Sequence, residues 1–270
     1  EGKLFDMKKL LTISLRSIIF FIGWTLCVGF IPVPESSNPA FWRFWAELTP
    51  FLSISVLTYI FWLIEKKDIS LHIFGRPVYS ILIGIITGTL WLGLSVLILS
   101  LLGVIKIVSS NRFSLLWLWM LSALINTMMQ ELLIRGYLYR LIKTNYNTCA
   151  AIIITTALFT FLHGGAFEAG IIPVLNVITM SLFMTTVMEY TGSLLPSMVI
   201  HFFWNGIGSI ILGGVSLADD YPHLLNMAFT GNRLLSGGVY KIEGSIIVLI
   251  LNILFTAIFI YLIRKRPTVS

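Results

Sequence analysis

The sequence predicts an all-α membrane protein, a polytopic bundle of about eight transmembrane helices with both chain termini in the cytoplasm. Hydrophobic residues make up 57% of the 270 residues, charged residues make up 11%, and the mean hydropathy is +0.93. A soluble domain contains about 25% charged residues, more than twice this fraction. The apolar residues also occur in runs of roughly 20, which as helices cross a hydrocarbon layer about 30 Å thick. These observations exclude an ordinary soluble domain.

Eight apolar stretches define the predicted helices. The fourth stretch continues past its apolar part as an amphipathic helix, and the fifth is short. The stretches are Leu10–Phe30, Trp45–Ile64, Val78–Leu102, Leu115–Lys143, Ala150–His163, Ile171–Tyr190, Leu194–Leu212 and Ser245–Ile263.

The distribution of Lys and Arg predicts the orientation of the bundle. With the N-terminus inside, 12 of the 18 Lys and Arg residues lie on the inner side and 5 on the outer side, while Arg16 falls inside the first helix and is unassigned. Cytoplasmic loops carry the excess of positive charge, so we expect both termini inside. This rule accounts for the net charge of +6, and we expect no nucleic-acid partner. Short loops and a compact chain favour a bacterial plasma membrane.

The chain is interpreted as one integrated membrane domain with short ends. Residues 1–6 do not resemble the start of a natural reading frame, so we interpret them as an expression remnant. The longest connection, Gly213–Gly244, is too polar to cross the membrane, and we expect a loop or cap on the outer side. The remaining parts are three N-terminal helices in 7–113, a core in 114–263 and a cytoplasmic tail in 264–270.

Three polar clusters interrupt the apolar helices. Ionisable groups are costly inside a membrane, so each one is a candidate for function. Each cluster alone also has a structural explanation: a buried ion pair, a hydrogen-bonded core histidine, or hydrogen bonds between helices. The clusters are Gln130, Glu131 and Arg135 in the fourth stretch, Phe159 and His163 in the fifth, and His201 and Asn205 in the seventh.

The depth of the clusters makes them more informative together. At about 1.5 Å per residue, Gln130 lies roughly 20 Å from Lys143 at the inner edge, and His163 lies roughly 20 Å from Ala150. By the same rise, Asn205 lies roughly 16 Å from the start of its helix. Packing alone does not explain two histidines, a carboxylate and two amides at similar heights. We therefore expect a site that contains water.

The ordered set of clusters resembles the motifs of the CPBP family, the CAAX-protease and bacteriocin-processing membrane peptidases that are also called Abi proteins. The family pattern is Glu-Glu-x-x-x-Arg, then Phe-x-x-x-His, then His-x-x-x-Asn or Asp. The segments Gly192–Ser197 and Tyr240–Ser245 also resemble the family, and the resemblance extends over about Leu115–Ile263. It implies an intramembrane peptidase of the glutamate type, with residues 114–263 as its catalytic core.

The resemblance implies a role for each matching residue. The position of Gln130 would hold the general base that activates the attacking water, assisted by His163. His201 and Asn205 would stabilise the oxyanion. The supporting residues would be Glu131, which pairs with Arg135 to hold its helix in place, and Phe159, which shares a face with His163.

One departure from the family pattern concerns the first glutamate, which is Gln130 here. An amide can orient a water molecule but cannot accept its proton at neutral pH. Either Gln130 replaces a native glutamate and traps an inactive enzyme, or it is natural and the chain is a pseudoprotease that acts as a regulator, scaffold or immunity protein. A third possibility, Glu131 as the base, would require a helix rotation of about 100°.

Several further expectations concern cofactors and partners. We expect no cofactor, although Glu131, His163 and His201 form an alternative zinc set. The expected partners are a peptide or membrane-protein substrate and the lipid bilayer, and the sequence does not predict an oligomeric state. A small transporter is a remote alternative, because the sequence contains no internal repeat.

Overall fold

The computed structural model describes residues 7–218 and 220–266, and all eight predicted apolar stretches are helical there. The predictions for residues 1–6 and for residues 267–270 of the tail lie outside the described residues, as does Asp219. The helices are α1 (Met7–Phe30), α2 (Pro39–Ile64), α3 (Pro77–Leu101), α4 (Leu116–Glu131), α5 (Tyr137–Asn145), α6 (Thr148–Leu162), α7 (Gly165–Ala169), α8 (Ile171–Thr191), α9 (Leu195–Phe202), α10 (Arg233–Ser236) and α11 (Ile246–Arg264).

Six helical stretches of the described chain are long and apolar enough to cross a membrane. Thr148–Leu162 and Leu195–Ile211 are also apolar but shorter. The chain is therefore an integral membrane protein with the predicted all-α, polytopic architecture. The count of eight membrane crossings and the orientation of the termini stay predictions.

Two of the predicted helices contain a π-helical segment that the apolar pattern does not predict. Leu132–Gly136 is a π-helical segment between α4 and α5, and Phe203–Ile211 is a π-helical segment that continues α9. The first directly follows Glu131, and the second begins two residues after His201. π-Helical turns are rare and frequently lie at functional sites.

The connection Gly213–Gly244 is more ordered than the predicted loop. Strand β2 (Leu225–Phe229) pairs in antiparallel fashion with β1 (Ile105–Ser110), with Ile105 opposite Phe229. The connection also contains α10 and the 3₁₀ segment Gly238–Gly244. Since β1 and β2 lie more than 100 residues apart in the chain, their pairing is not visible in either local pattern.

The motif-bearing helices lie in the middle of the bundle. Helix α8 packs against α11 and α6, α3 packs against α9, and α2 packs against α4. The indole rings of Trp91 and Trp204 stack with their centroids 4.4 Å apart and join α3 to the second π-helical segment. This packing brings α4, α6 and α9 together around the site.

Helix α1 lies at the periphery. Its buried residues are Ile13 and Phe20, and apolar side chains such as Leu11 and Ile22 are exposed, as expected for a helix that faces lipid. Arg16, which the sequence left unassigned, binds Glu65 with an Nη1–Oε2 distance of 2.6 Å. Pairing with a carboxylate neutralises this cation.

Candidate active site

Four of the predicted site residues line one cavity of about 510 Å³. Gln130 comes from α4, His163 from the residue after α6, His201 from α9 and Asn205 from the second π-helical segment. The structure thus brings together residues from three of the predicted helices. Glu131, Arg135 and Phe159 are buried but do not line the cavity.

Glu131 and Arg135 form the predicted ion pair, and both side chains are fully buried. Arg135 Nη1 donates to both carboxylate oxygens of Glu131 at 2.8 Å. The other guanidinium nitrogens donate to Thr185 and Ser181 of α8, at 3.0 and 2.8 Å. A buried pair of this kind is tolerated because each remaining donor has an acceptor. It joins the motif helix to α8.

Helix rotation separates the two adjacent positions Gln130 and Glu131. Gln130 faces the cavity, whereas Glu131 faces Arg135 and His201. The carboxylate of Glu131 is therefore held away from the cavity. For Glu131 to act as the base, the helix would have to turn and the ion pair would have to break.

His201 is oriented by the same carboxylate. Its Nδ1 lies 2.9 Å from Glu131 Oε1. Because an ionised carboxylate only accepts, Nδ1 carries the hydrogen, and the ring can donate from Nε2 only when it is doubly protonated. The Phe159 ring lies near both groups, with its centroid 5.9 Å from that of the His201 ring and 5.0 Å from the Arg135 guanidinium.

His163 ends α6 and is held by that helix's own backbone. Its Nδ1 donates to the carbonyl oxygen of Phe159 at 2.7 Å. A carbonyl oxygen can only accept, so the hydrogen lies on Nδ1 and the neutral ring keeps a free lone pair on Nε2. The rings of Phe159 and His163 lie 4.2 Å apart, as their predicted shared face requires. In this tautomer His163 can accept a hydrogen bond from water in the cavity.

Gln130 belongs to a hydrogen-bonded chain that the sequence analysis missed. Its Nε2 donates to Asn126 Oδ1 at 2.7 Å, and Asn126 Nδ2 donates to Glu47 Oε2 at 2.8 Å. Glu47 is buried and also accepts from Arg43 at 3.1 Å. Two signals were available in the sequence: a carboxylate inside an apolar helix, and an amide four residues before Gln130.

This chain continues into the connection that was predicted to form an outer loop or cap. The Tyr221 hydroxyl donates to Glu47 at 3.2 Å, and Arg43 Nε donates to Asp220 at 2.8 Å. Burial and the neighbouring Glu47 carboxylate raise the pKa of the Tyr221 phenol, so it remains a donor at neutral pH. The connection is thereby fastened to α2 and, through Asn126, to the residue at position 130.

The alternative zinc set does not assemble. Among the described residues, no three His, Cys, Asp or Glu side chains form a group that could hold a metal ion. Both oxygens of Glu131 are bound by Arg135, and one also contacts His201. Glu131 is thus already occupied by other partners within the protein.

Comparison with known proteins supports the resemblance over part of the chain. Residues 112–207 match the family model described as type II CAAX prenyl endopeptidase Rce1-like. The match contains all seven predicted site and supporting residues but ends before the similar segment Tyr240–Ser245. Comparisons with curated proteins and with solved structures gave no significant match. The family match confirms the predicted resemblance over these residues.

Proposed function

We propose that the chain has the architecture of an intramembrane endopeptidase that hydrolyses peptide bonds with an activated water, and that its Gln130 form is inactive or nearly so. The observation that carries this proposal is the convergence of Gln130, His163, His201 and Asn205 on one cavity. The proposed substrates are membrane-associated or secreted peptides and proteins. The proposed location is a bacterial plasma membrane with both termini inside.

Water activation would depend on position 130 and His163. The free Nε2 of His163 can orient a water molecule, and a carboxylate at position 130 could take its proton. Gln130 offers an amide that has no such proton affinity. General base catalysis contributes about 10²–10⁴-fold to rate, so its loss accounts for an inactive form.

Oxyanion stabilisation would come from His201 and Asn205. The Asn205 amide can donate in any protonation state of the site, whereas His201 can donate from Nε2 only as the imidazolium. Donors held in place before the reaction contribute most in a cavity shielded from bulk water. The contacts of His201 with the Glu131–Arg135 pair keep the ring in one orientation.

The experiment that tests this proposal compares the Gln130 chain with its Gln130→Glu variant. Both proteins would be purified in lipid nanodiscs and assayed with quenched-fluorescent peptides, including membrane-embedded and prenylated-cysteine substrates. We expect cleavage to rise by about 10²–10⁴-fold in the glutamate form. We also expect this gain to vanish when His163→Ala or His201→Ala is added.

Controls separate this proposal from a metal enzyme and from background cleavage. Elemental analysis should find no stoichiometric zinc in the active form, and chelators should leave its activity unchanged. Gln130→Ala is the matched control for a change at the same position. Persistent inactivity of Gln130→Glu across the panel would contradict the peptidase proposal.

One observation favours a natural pseudoprotease as the second candidate. Asn126 directs Oδ1 toward position 130 because its Nδ2 is bound to Glu47. A glutamine completes this chain by donating, whereas an ionised glutamate would place two acceptors against each other. A partner that copurifies with the Gln130 chain, together with an inactive Gln130→Glu variant, would support this alternative.

A further inference from the structure

The cavity has a second polar wall, formed by residues outside the motifs. Glu243 of the 3₁₀ segment lines the cavity together with Asn176 of α8 and Asn252 of α11. The three residues are joined directly: Asn176 Nδ2 donates to the Glu243 carbonyl oxygen at 2.7 Å, and Asn252 Nδ2 donates to the Asn176 carbonyl oxygen at 3.3 Å. These hydrogen bonds hold the three residues next to one another in the cavity lining.

Glu243 is a carboxylate that is held by hydrogen bonds from Ser216 and from the Trp204 side chain rather than by an ion pair. Its Oε2 accepts the backbone N–H of Ser216 at 3.0 Å. Within residues 7–218 and 220–266, Glu243 makes no ion pair, and Lys241 directs Nζ to the Val215 carbonyl oxygen at 3.4 Å. A carboxylate that lines a cavity without an ion pair is costly, and a cationic ligand would compensate its charge.

The two asparagines contribute acceptors that also lack partners. Asn176 is 5% exposed and Asn252 is fully buried. The Nδ2 group of Asn176 donates to backbone carbonyl oxygens, and that of Asn252 donates to the Thr179 hydroxyl and to a backbone carbonyl oxygen. Neither Oδ1 atom has a hydrogen-bond donor. Buried polar atoms without partners are rare in native proteins, and a ligand is one way to satisfy them.

The group therefore contains one carboxylate and two amide oxygens that lack donors. A primary ammonium group has three N–H donors, no acceptor and one positive charge, which complements this set. We propose that Glu243, Asn176 and Asn252 form a subsite that binds a primary ammonium group of the peptide substrate, either a lysine side chain or a free N-terminus. This inference rests on the proposed function, since it assumes a peptide in the cavity.

The subsite also has a physical relation to the catalytic wall. Glu243 shares the cavity with Gln130 and His163, so an ammonium group bound there would anchor a peptide whose neighbouring bonds lie near those residues. A charge-assisted hydrogen bond is roughly twice as strong as a neutral one, which makes such an anchor effective. The subsite would thus select substrates by a basic group close to the cleaved bond.

The test measures binding rather than cleavage, so it uses the Gln130 chain in nanodiscs. Fluorescent peptides would differ at one scanned position, which holds lysine, Nε-acetyl-lysine or norleucine, and a second pair would carry a free or an acetylated N-terminus. We expect the peptide with the free ammonium to bind at least about tenfold more tightly than its neutral counterparts. The position with the largest ratio distinguishes a side chain from an N-terminus.

Variants link the preference to the wall. Glu243→Gln should reduce the ratio to about one, whereas the matched control Glu35→Gln, at an exposed carboxylate outside the cavity, should leave it unchanged. The peptide series in the parent chain needs no variant and stays informative if Glu243→Gln folds poorly. Equal affinities for charged and neutral peptides, or a ratio that survives Glu243→Gln, would overturn the subsite.

The outcomes also separate this inference from the proposed function. Charge-selective binding with no cleavage by Gln130→Glu would support the subsite and count against the peptidase. Cleavage by Gln130→Glu without charge-selective binding would support the peptidase and count against the subsite. Failure of every peptide to bind would count against both.

Discussion

Two carboxylates, Glu131 behind the cavity lining and Glu243 within it, have different surroundings. On the motif side, the Glu131 carboxylate has a guanidinium on both oxygens and an imidazole on one. The Glu243 carboxylate has hydrogen bonds from Ser216 and Trp204 but no ion pair among the described residues, and two neighbouring amide oxygens have no donor. A polar group that is satisfied within the protein contributes to the scaffold, whereas one left unsatisfied is available to a ligand.

A third buried carboxylate, Glu47, lies between these extremes. It accepts from Arg43, Asn126 and Tyr221, and Arg43 also binds Asp220. The three glutamates therefore form a series. The same Glu→Gln change is expected to cost most stability at Glu131, less at Glu47 and least at Glu243. Equilibrium unfolding in mixed micelles, followed by tryptophan fluorescence, measures the free energy of unfolding for each variant.

Glu131→Gln should have the largest effect, a loss of about 3–5 kcal/mol in the free energy of unfolding. The change leaves Arg135 as an uncompensated charge in the bundle interior. The control is the double variant Glu131→Gln/Arg135→Met, which removes both charges and should lose less than the sum of the two single changes. Strict additivity would contradict a coupled ion pair.

Glu47→Gln should have an intermediate effect, a loss of about 1.5–3 kcal/mol. The amide oxygen can still accept from one donor, and Arg43 keeps Asp220 as its partner. Because Glu47 orients Asn126, the change should also weaken the contact between Asn126 and Gln130. A larger loss of unfolding free energy than that of Glu131→Gln would mean that Glu47 is the main structural anchor, and would reverse this ranking.

Glu243→Gln should have the smallest effect, a change of less than about 1 kcal/mol that can be stabilising. The glutamine oxygen can still accept the Ser216 N–H, while the cost of an unpaired buried charge disappears. Added lysine-containing peptide should stabilise the parent chain and not this variant, because a ligand that binds only the folded state raises its stability. A loss above about 3 kcal/mol would show that Glu243 is a structural residue.

The sequence analysis selected four residues that line the cavity because they are exceptions to an apolar background. Gln130, His163, His201 and Asn205 are conspicuous in helices made of Leu, Ile and Phe, and helical rise alone places them at similar depths. The i, i+4 spacing of Glu131 and Arg135 likewise predicts their ion pair, since both partners lie on the same helix. Which residues share a face of one helix can be counted directly from their positions in the sequence.

Contacts between distant segments were not predicted. Glu47 meets Asn126 across the contact of α2 with α4, and Asn176 meets Asn252 across the contact of α8 with α11. The pairing of β1 with β2 is likewise a contact between segments that are far apart in the chain. Each depends on how the helices are rotated and placed, and an apolar surface packs about as well against lipid as against another helix.

The sequence by itself determined that this chain is a helical membrane protein, where its apolar helices lie, and which polar residues approach one depth. Hydropathy and helical rise suffice for this, because they depend on neighbours along the chain. The tertiary structure decided that Gln130 faces the cavity while Glu131 faces Arg135, and that Glu243 lines the same cavity without an ion pair among the described residues. These relations depend on helix rotation and packing, in which partners far apart in the chain satisfy, or leave unsatisfied, each buried polar group.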